Sequence, residues 1–257
     1  MIIVKSPREI ELMKEAGRVV AKVFETVEPH IKPGVSTYEL NKIAEEVIYS
    51  AGGSCPCKGY YDYPAGTCVS VNDTLIHGIP SKKIILREGD IVSLDVVACL
   101  HGYCADATRT FGVGILKESV KQLMQVAKDA FYVGIKQAKP NNHVGDISSA
   151  IQEYVEAHGY SVAREFTGHG IGKSMHEDPS VPNYGIAGTG APLKAGMALA
   201  IEPMILEGKK ETRVLGDGWT VKSRDGKLTC HYENTIIITE SGNEIITLTE
   251  GEKNINV

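Results

Sequence analysis

The chain has 257 residues, 42% of them hydrophobic, which is enough to bury a sizeable core and excludes wholesale disorder. Its net charge of -5, from 27 basic and 32 acidic residues, gives no reason to expect nonspecific nucleic-acid binding or specific DNA binding. Its apolar runs all fall short of the ~20 residues that cross a membrane as a helix.

The six cysteines include no CxxC pair and no Cys/His spacing typical of a zinc finger. We expect no signal peptide in this chain. We therefore expect a cytoplasmic protein whose thiols are free, because the cytoplasm keeps cysteines reduced.

The first predicted elements are two helices that begin at capping boxes. Ser6-Pro7-Arg8-Glu9 and Ser36-Thr37-Tyr38-Glu39 both show the S-x-x-E pattern, and an apolar stripe of helical spacing follows each of them. The two helices are separated by a break at Lys32-Pro33-Gly34.

A similar helix–break–helix pattern recurs later in the chain, where Lys139-Pro140 repeats Lys32-Pro33. We interpret the repeat as two related halves, roughly residues 1–112 and 113–257, within a single domain 1–257. Each half pairs helices with strands, which predicts an α+β fold with one curved sheet and the helices outside it.

Residues 91–111 read IVSLDVVACLHGYCADATRTF and predict a β-hairpin with an aspartate in each arm, Asp95 and Asp106. Two registers are open. A four-residue loop over 99–102 would place the aspartates directly opposite each other, and a two-residue His101-Gly102 turn would place them diagonally.

In either register both carboxylates share one face of the hairpin. Two like charges side by side on a mostly buried sheet are costly, so a divalent cation between them is one explanation. The alternative is that one aspartate pairs with Arg109 or caps a turn.

Four other stretches place an acid or a histidine beside glycine, proline or apolar sequence. They are His77 in LIHGIP, His169 and His176 in TGHGIGKSMHEDP, Glu202 in AIEPM, and Glu233 in YENT. Each stretch alone is weak evidence for a functional site, because a single histidine or glutamate more often has a structural role or is solvated. Four carboxylates with His169 suit a dinuclear hydrolytic centre, and they suit a tetrahedral structural zinc site poorly.

These motifs together resemble the type I methionine aminopeptidases, a family with the creatinase-like "pita-bread" fold. The resemblance rests on VND with HGIP, the D-x10-D hairpin, TGHGIG with HEDP, IEP, and YENT after Trp219. It covers nearly the whole chain and is closest to the short bacterial form. It implies a curved antiparallel sheet with outer helices and two pseudo-symmetric halves.

The resemblance also implies a set of metal ligands for two divalent ions, which could be Fe2+, Mn2+, Co2+ or Zn2+. Asp95 would bind one ion, Asp106 and Glu233 would bridge the pair, and His169 and Glu202 would complete the second ion. The implied reaction is removal of the N-terminal methionine of nascent chains with a small second residue. A water bridging the metals would attack the scissile carbonyl, with Glu202 as the proton shuttle.

The remaining residues implied by the resemblance would bind the substrate. His77 and His176 would hydrogen-bond the scissile amide, and a methionine pocket would be lined by Cys57, Tyr60, Tyr63, Cys68, Met175 and Trp219. Ordinary core packing is the alternative for any one of the pocket residues. The chain departs from the family at Met175, usually phenylalanine, and at Ile76, where a cysteine is common.

Two other functions stay open at this stage. One is an Xaa-Pro aminopeptidase or dipeptidase of the same fold, and the other is a binding protein that has lost the chemistry. The expected partners are nascent polypeptide N-termini, for a protein that is a monomer. Ribosome contact through Lys82-Lys83 and Lys209-Lys210 is a hypothesis, since surface lysines are usually just solvated.

Overall fold

Four long helices and a series of short strands alternate along the computed structural model, which describes residues 1–253. The helices are α1 (Pro7–Val27), α2 (Thr37–Ser50), α3 (Glu118–Ile135), α4 (Val144–Ala157) and the short α5 (Glu250–Lys253). The first strands are β1 (Cys68–Val71), β2 (Thr74–Ile76), β3 (Ile91–Leu100), β4 (Tyr103–Gly112), β5 (Ser161–Val162), β6 (Thr167–Gly170) and β7 (Glu177–Pro182). The others are β8 (Ala198–Ile201), β9 (Met204–Leu206), β10 (Thr212–Val214), β11 (Val221–Ser223), β12 (Thr229–His231), β13 (Asn234–Ile238) and β14 (Asn243–Ile245).

Helices α1 and α2 begin where the capping boxes predict. The Ser6 amide donates to Glu9 Oε2 at 2.8 Å, and the Ser6 hydroxyl accepts from the Glu9 amide at 3.4 Å. The same reciprocal pair joins Ser36 and Glu39. Each box satisfies amides that the first helical turn leaves without partners.

The strands form four antiparallel sheets. Their strand orders are β1-β3-β4, β10-β11-β2, β12-β9-β5 and β14-β13-β8-β6-β7. Helix α1 packs on β3 and β4, and α3 packs on α4. The α+β class predicted from the sequence is confirmed. Over residues 1–253, the helices all lack either the length or the apolar character needed to cross a membrane.

The β3–β4 hairpin adopts the two-residue turn. Leu100 pairs with Tyr103 and Val97 pairs with Asp106, so the four-residue loop is wrong. His101 and Gly102 have φ of 52° and 81°, which matches a hairpin turn with both central residues in the left-handed region.

The expectation of free thiols is wrong for one pair, because Cys99 and Cys104 form a disulfide. The two-residue turn places them directly opposite each other, with their Cα atoms 4.0 Å apart. The four-residue loop would have shifted them out of register. Cys55, Cys57, Cys68 and Cys230 are free.

We propose that residues 1–257 form one domain with two related halves. Two large hydrophobic clusters surround the two helix pairs, but each includes residues from the other half, such as Ala198 and Ile237 in the first and Ile91 in the second. The halves also meet through backbone hydrogen bonds between Thr108 and Glu233. Shared cores of this kind favour a single folding unit.

Candidate active site

One cavity of about 810 Å³ collects every site residue that the sequence predicts. The lining includes Cys57, Tyr60, Tyr63, Cys68, His77, Asp95, Asp106, His169, Met175, His176, Glu202, Trp219 and Glu233. They come from loops and strands across the chain, so the fold has brought distant segments to one place.

Strand register brings the five predicted metal ligands to the lining of the same cavity. Asp95 and Asp106 come from the paired strands β3 and β4. His169 lies opposite Ala200 on β8, and Glu202 and Glu233 lie just beyond the β8–β13 pair. Asp106, His169 and Glu233 offer ligand atoms that all lie within 4.8 Å of one another. The Nε2 atom of His169 is 3.5 Å from Glu202 Oε1.

The alternative partner for the aspartates, Arg109, is engaged elsewhere. Its side chain pairs with Glu252 at 2.7 Å and donates to the Glu233 carbonyl oxygen at 2.6 Å. Arg109 therefore holds the backbone of a predicted ligand, and within residues 1–253 it pairs with neither Asp95 nor Asp106.

The electrostatics of this cluster fit a divalent cation. Burial raises the pKa of Asp95 to about 7, and burial with the charges of neighbouring acids raises the pKa of Asp106, Glu202 and Glu233 well above the usual range. In the described part of the chain, Asp106 Oδ1 and Glu233 Oε1 have no hydrogen-bond partner. Clustered buried carboxylates with unpaired oxygens are the ligand set that hard divalent ions prefer.

The second ligand type, His169, is oriented for coordination. Its Nδ1 lies 3.0 Å from the Gly170 carbonyl oxygen, so Nδ1–H donates there and leaves the Nε2 lone pair directed at the carboxylates. Burial lowers the pKa of His169 to about 4, which keeps the ring neutral and able to bind a metal.

Two more histidines border the cluster. His77 has a left-handed backbone with φ of 56°, and its ring contacts those of Trp219 and Phe166 at centroid distances of 5.8 and 6.0 Å. The His176 ring lies 4.5 Å from that of His169. Burial lowers the pKa of both His77, to about 4, and His176, so both rings are neutral hydrogen-bonding groups at pH 7.

The predicted methionine pocket adjoins the carboxylates. Cys68 pairs with Asp95 across β1 and β3, and the Tyr63 hydroxyl donates to the Gly78 carbonyl oxygen at 3.1 Å. The Trp219 ring meets the Tyr63 ring edge-on at 5.0 Å. Burial raises the pKa of the Cys57 and Cys68 thiols well above their usual range, so the lining is uncharged. An uncharged lining of rings and thiols suits a thioether side chain.

One buried residue of this centre, His231, is not among the site residues that the sequence predicts. Its Nε2 lies 3.7 Å from Glu202 Oε2 and 3.8 Å from Glu233 Oε2. Burial lowers its pKa to about 3. The signal available was strand alternation, since residues 231 and 233 are two apart and share a face.

The fold and the site together define a metallopeptidase. The sequence profile of metallopeptidase family M24 matches residues 11–240, and the chain belongs to this family. Within it, the chain is similar to the methionine aminopeptidase of Clostridium perfringens, at 48% identity over 96% of this chain and 99% of that protein. It also matches a crystal structure of methionine aminopeptidase from Rickettsia prowazekii, with a TM-score of 0.95 and 41% identity over 96% of this chain and 100% of that one. These neighbours confirm the predicted pita-bread fold.

The Xaa-Pro alternative is less well matched. Prolidase from Pyrococcus furiosus aligns with a TM-score of 0.78 and 26% identity, and the match covers 96% of this chain but 66% of that one. The shared fold is therefore general to the family, while the closer match is to methionine aminopeptidases.

Proposed function

We propose that this chain removes the N-terminal methionine from peptides and newly made proteins, and that it prefers a small second residue. The observation that carries the proposal is the buried cluster of carboxylates and His169, which lines the same cavity as the aromatic rings and uncharged thiols of the predicted methionine pocket. The similarity to methionine aminopeptidases over nearly the whole chain supports the same function.

The cofactor is a pair of divalent metal ions. Asp95, Asp106 and Glu233 would hold one ion, and Asp106, His169, Glu202 and Glu233 would hold the other. When bound, such ions neutralise the carboxylates and act as Lewis acids toward a peptide carbonyl. Fe2+, Mn2+, Co2+ and Zn2+ all suit this ligand set, so availability decides which ion is bound in the cell.

Protein groups perform the proton transfers and the positioning. Glu202 accepts a proton from the attacking water and passes it to the leaving amine. His77 and His176, both neutral, hydrogen-bond the scissile amide. The methionine side chain enters the pocket of Cys57, Tyr60, Tyr63, Cys68, Met175 and Trp219. Burying the thioether there excludes charged first residues, because an unpaired charge cannot be desolvated cheaply.

A parallel peptide assay tests this proposal. The protein is stripped of metal, reloaded with Mn2+ or Co2+, and offered Met-Ala-Ser, Met-Lys-Ser, Leu-Ala-Ser and Ala-Pro-Ser. We expect metal-dependent release of methionine from Met-Ala-Ser, much slower release of leucine from Leu-Ala-Ser, no cleavage of the other two peptides, and no activity in an Asp95→Asn variant. Cleavage of Ala-Pro-Ser instead would establish the Xaa-Pro function. No cleavage by a folded, loaded protein would overturn the proposal and make a binding protein the leading alternative.

We propose that the protein works in the cytoplasm near the ribosome, as a monomer of 27.8 kDa. Lys82, Lys83, Lys209 and Lys210 are all exposed, and we propose that they contact ribosomal RNA. Co-sedimentation with ribosomes, cell fractionation and light scattering test these three points. A variant with alanine at all four lysines should sediment less than wild type, whereas equal sedimentation would remove the ribosome contact.

A further inference from the structure

His231 is a buried imidazole that the proposed mechanism does not use. Its side chain is 3% exposed and lies at the end of β12, beside the carboxylate cluster. Within residues 1–253, its Nε2 atom has no hydrogen-bond partner. A buried donor without a partner costs free energy, so an unpaired nitrogen at this position calls for an acceptor close by.

The backbone of His231 is fixed on both sides, which confines the ring. The Thr110 hydroxyl donates to the His231 carbonyl oxygen at 2.7 Å and accepts from its amide at 3.3 Å. The residue also pairs with Met204 across β9 and β12. The nitrogen therefore has little freedom to find an acceptor other than the two carboxylates beside it.

The two carboxylates differ in their hydrogen-bond donors. Glu233 Oε2 already accepts a hydrogen bond from the Thr108 hydroxyl at 2.8 Å. No group in the described chain donates to the Glu202 carboxylate. Its Oε1 faces His169 at 3.5 Å and its Oε2 faces His231 at 3.7 Å, so one imidazole lies on each side of it.

We propose that His231 is a positioning residue whose Nε2–H donates a hydrogen bond to Glu202 Oε2 and holds Glu202 Oε1 toward the His169 side of the centre. The 3.7 Å separation is just beyond hydrogen-bond range, and a small rotation of the Glu202 side chain closes it. A neutral imidazole carries a single N–H, and placing it on Nε2 satisfies this nitrogen and Glu202 together. This inference rests on the proposed function, in which Glu202 is both a metal ligand and the proton shuttle.

Two variants separate the hydrogen bond from mere packing. His231→Gln keeps an N–H donor of similar reach, and His231→Leu keeps bulk without a donor. His158→Leu, at an exposed histidine outside the cavity, serves as the matched control. Isothermal titration of metal-free protein with Mn2+ measures binding independently of activity, and Met-Ala-Ser hydrolysis gives kcat and KM.

Loss of the donor should weaken one of the two Mn2+ binding steps by about 10–100-fold, as removal of an outer partner of a metal ligand typically does. We expect His231→Leu to show this loss and to lower kcat with KM unchanged, while His231→Gln and His158→Leu stay within about threefold of wild type. Wild-type Mn2+ affinity in His231→Leu, or an equal loss in His231→Gln, would overturn the inference. If wild type binds Mn2+ but cleaves no peptide, the proposed function fails, while the titration still decides the role of His231.

Discussion

The buried ion pair between Lys5 and Glu177 gives the sharpest stability prediction. Lys5 Nζ is 2.6 Å from Glu177 Oε2, and the two side chains are 3% and 8% exposed. Lys5 also donates to the Ile3 carbonyl oxygen at 3.0 Å. Glu177 follows His176 directly in the chain and lines the cavity. The Lys5–Glu177 ion pair therefore connects the N-terminal segment to one wall of the active site.

Replacing Lys5 with methionine removes the cation and leaves Glu177 buried. Breaking a buried pair in this way costs about 3–5 kcal/mol, because the remaining charge has no partner. An unfolding entropy of ~2.1 cal/mol/K per residue over this chain converts that cost into a fall in Tm of roughly 6–9 °C. Removing both charges, in Lys5→Met with Glu177→Gln, should recover more than half of the loss.

Differential scanning calorimetry of the metal-free protein measures both variants. The control is Lys42→Met, which breaks an exposed pair with Glu46 at 3.5 Å and should lower Tm by roughly 1 °C. A Lys5→Met variant within 2 °C of wild type, or a double variant no better than the single one, would refute the reasoning.

Three further predictions concern the active site. Glu202→Gln should abolish hydrolysis of Met-Ala-Ser while leaving the circular dichroism spectrum unchanged, and retained activity would remove Glu202 from its proposed role. Met175→Phe should lower the rate on Leu-Ala-Ser relative to Met-Ala-Ser, because a flexible thioether wall yields to a branched side chain and a rigid ring does not; an unchanged ratio of kcat/KM would contradict this. Metal-free protein should lose stability as pH rises from about 4 through 7, because the pKa of Asp95 is about 7 when folded and near 3.8 when unfolded, so the stabilising proton is lost over that range. The lowered pKa values of His77 and His169 have the opposite effect, because they make the folded protein more stable as pH rises toward 6.5. The loss of stability should therefore be clearest above pH 6.5, where chemical denaturation measures it. Bound Mn2+ should reduce this loss.

Local sequence signals predicted the helix starts well. The capping boxes at Ser6 and Ser36 were readable because each depends on residues three positions apart. The sequence also predicted the hairpin over residues 91–111, from its β-branched and alternating residues, but it left the turn length open. Two loop lengths fitted the same sequence, and only the observed strand register distinguishes them.

The Cys99–Cys104 pair and His231 show where the sequence was insufficient. Both depend on what lies across a strand, and the register of a strand is set by packing over the whole sheet. The expectation of free thiols rested only on the reducing cytoplasm, which carries no information about which cysteines lie opposite each other. In the sequence, His231 looks like an ordinary strand residue. Only the arrangement of β9, β12 and the end of β8 places it beside the carboxylates.

The sequence by itself determined the residue types of the metal cluster, the order of the motifs and the class of chemistry, because carboxylates and imidazoles carry their ligand properties wherever they lie. Only the tertiary structure decided that Asp95, Asp106, His169, Glu202 and Glu233 line the same cavity and that Arg109 pairs with Glu252 instead of with the aspartates. It also decided that Lys5 reaches Glu177 and that His231 lies beside Glu202. Distances between residues far apart in the chain come from side-chain packing and strand pairing, and no local pattern records them.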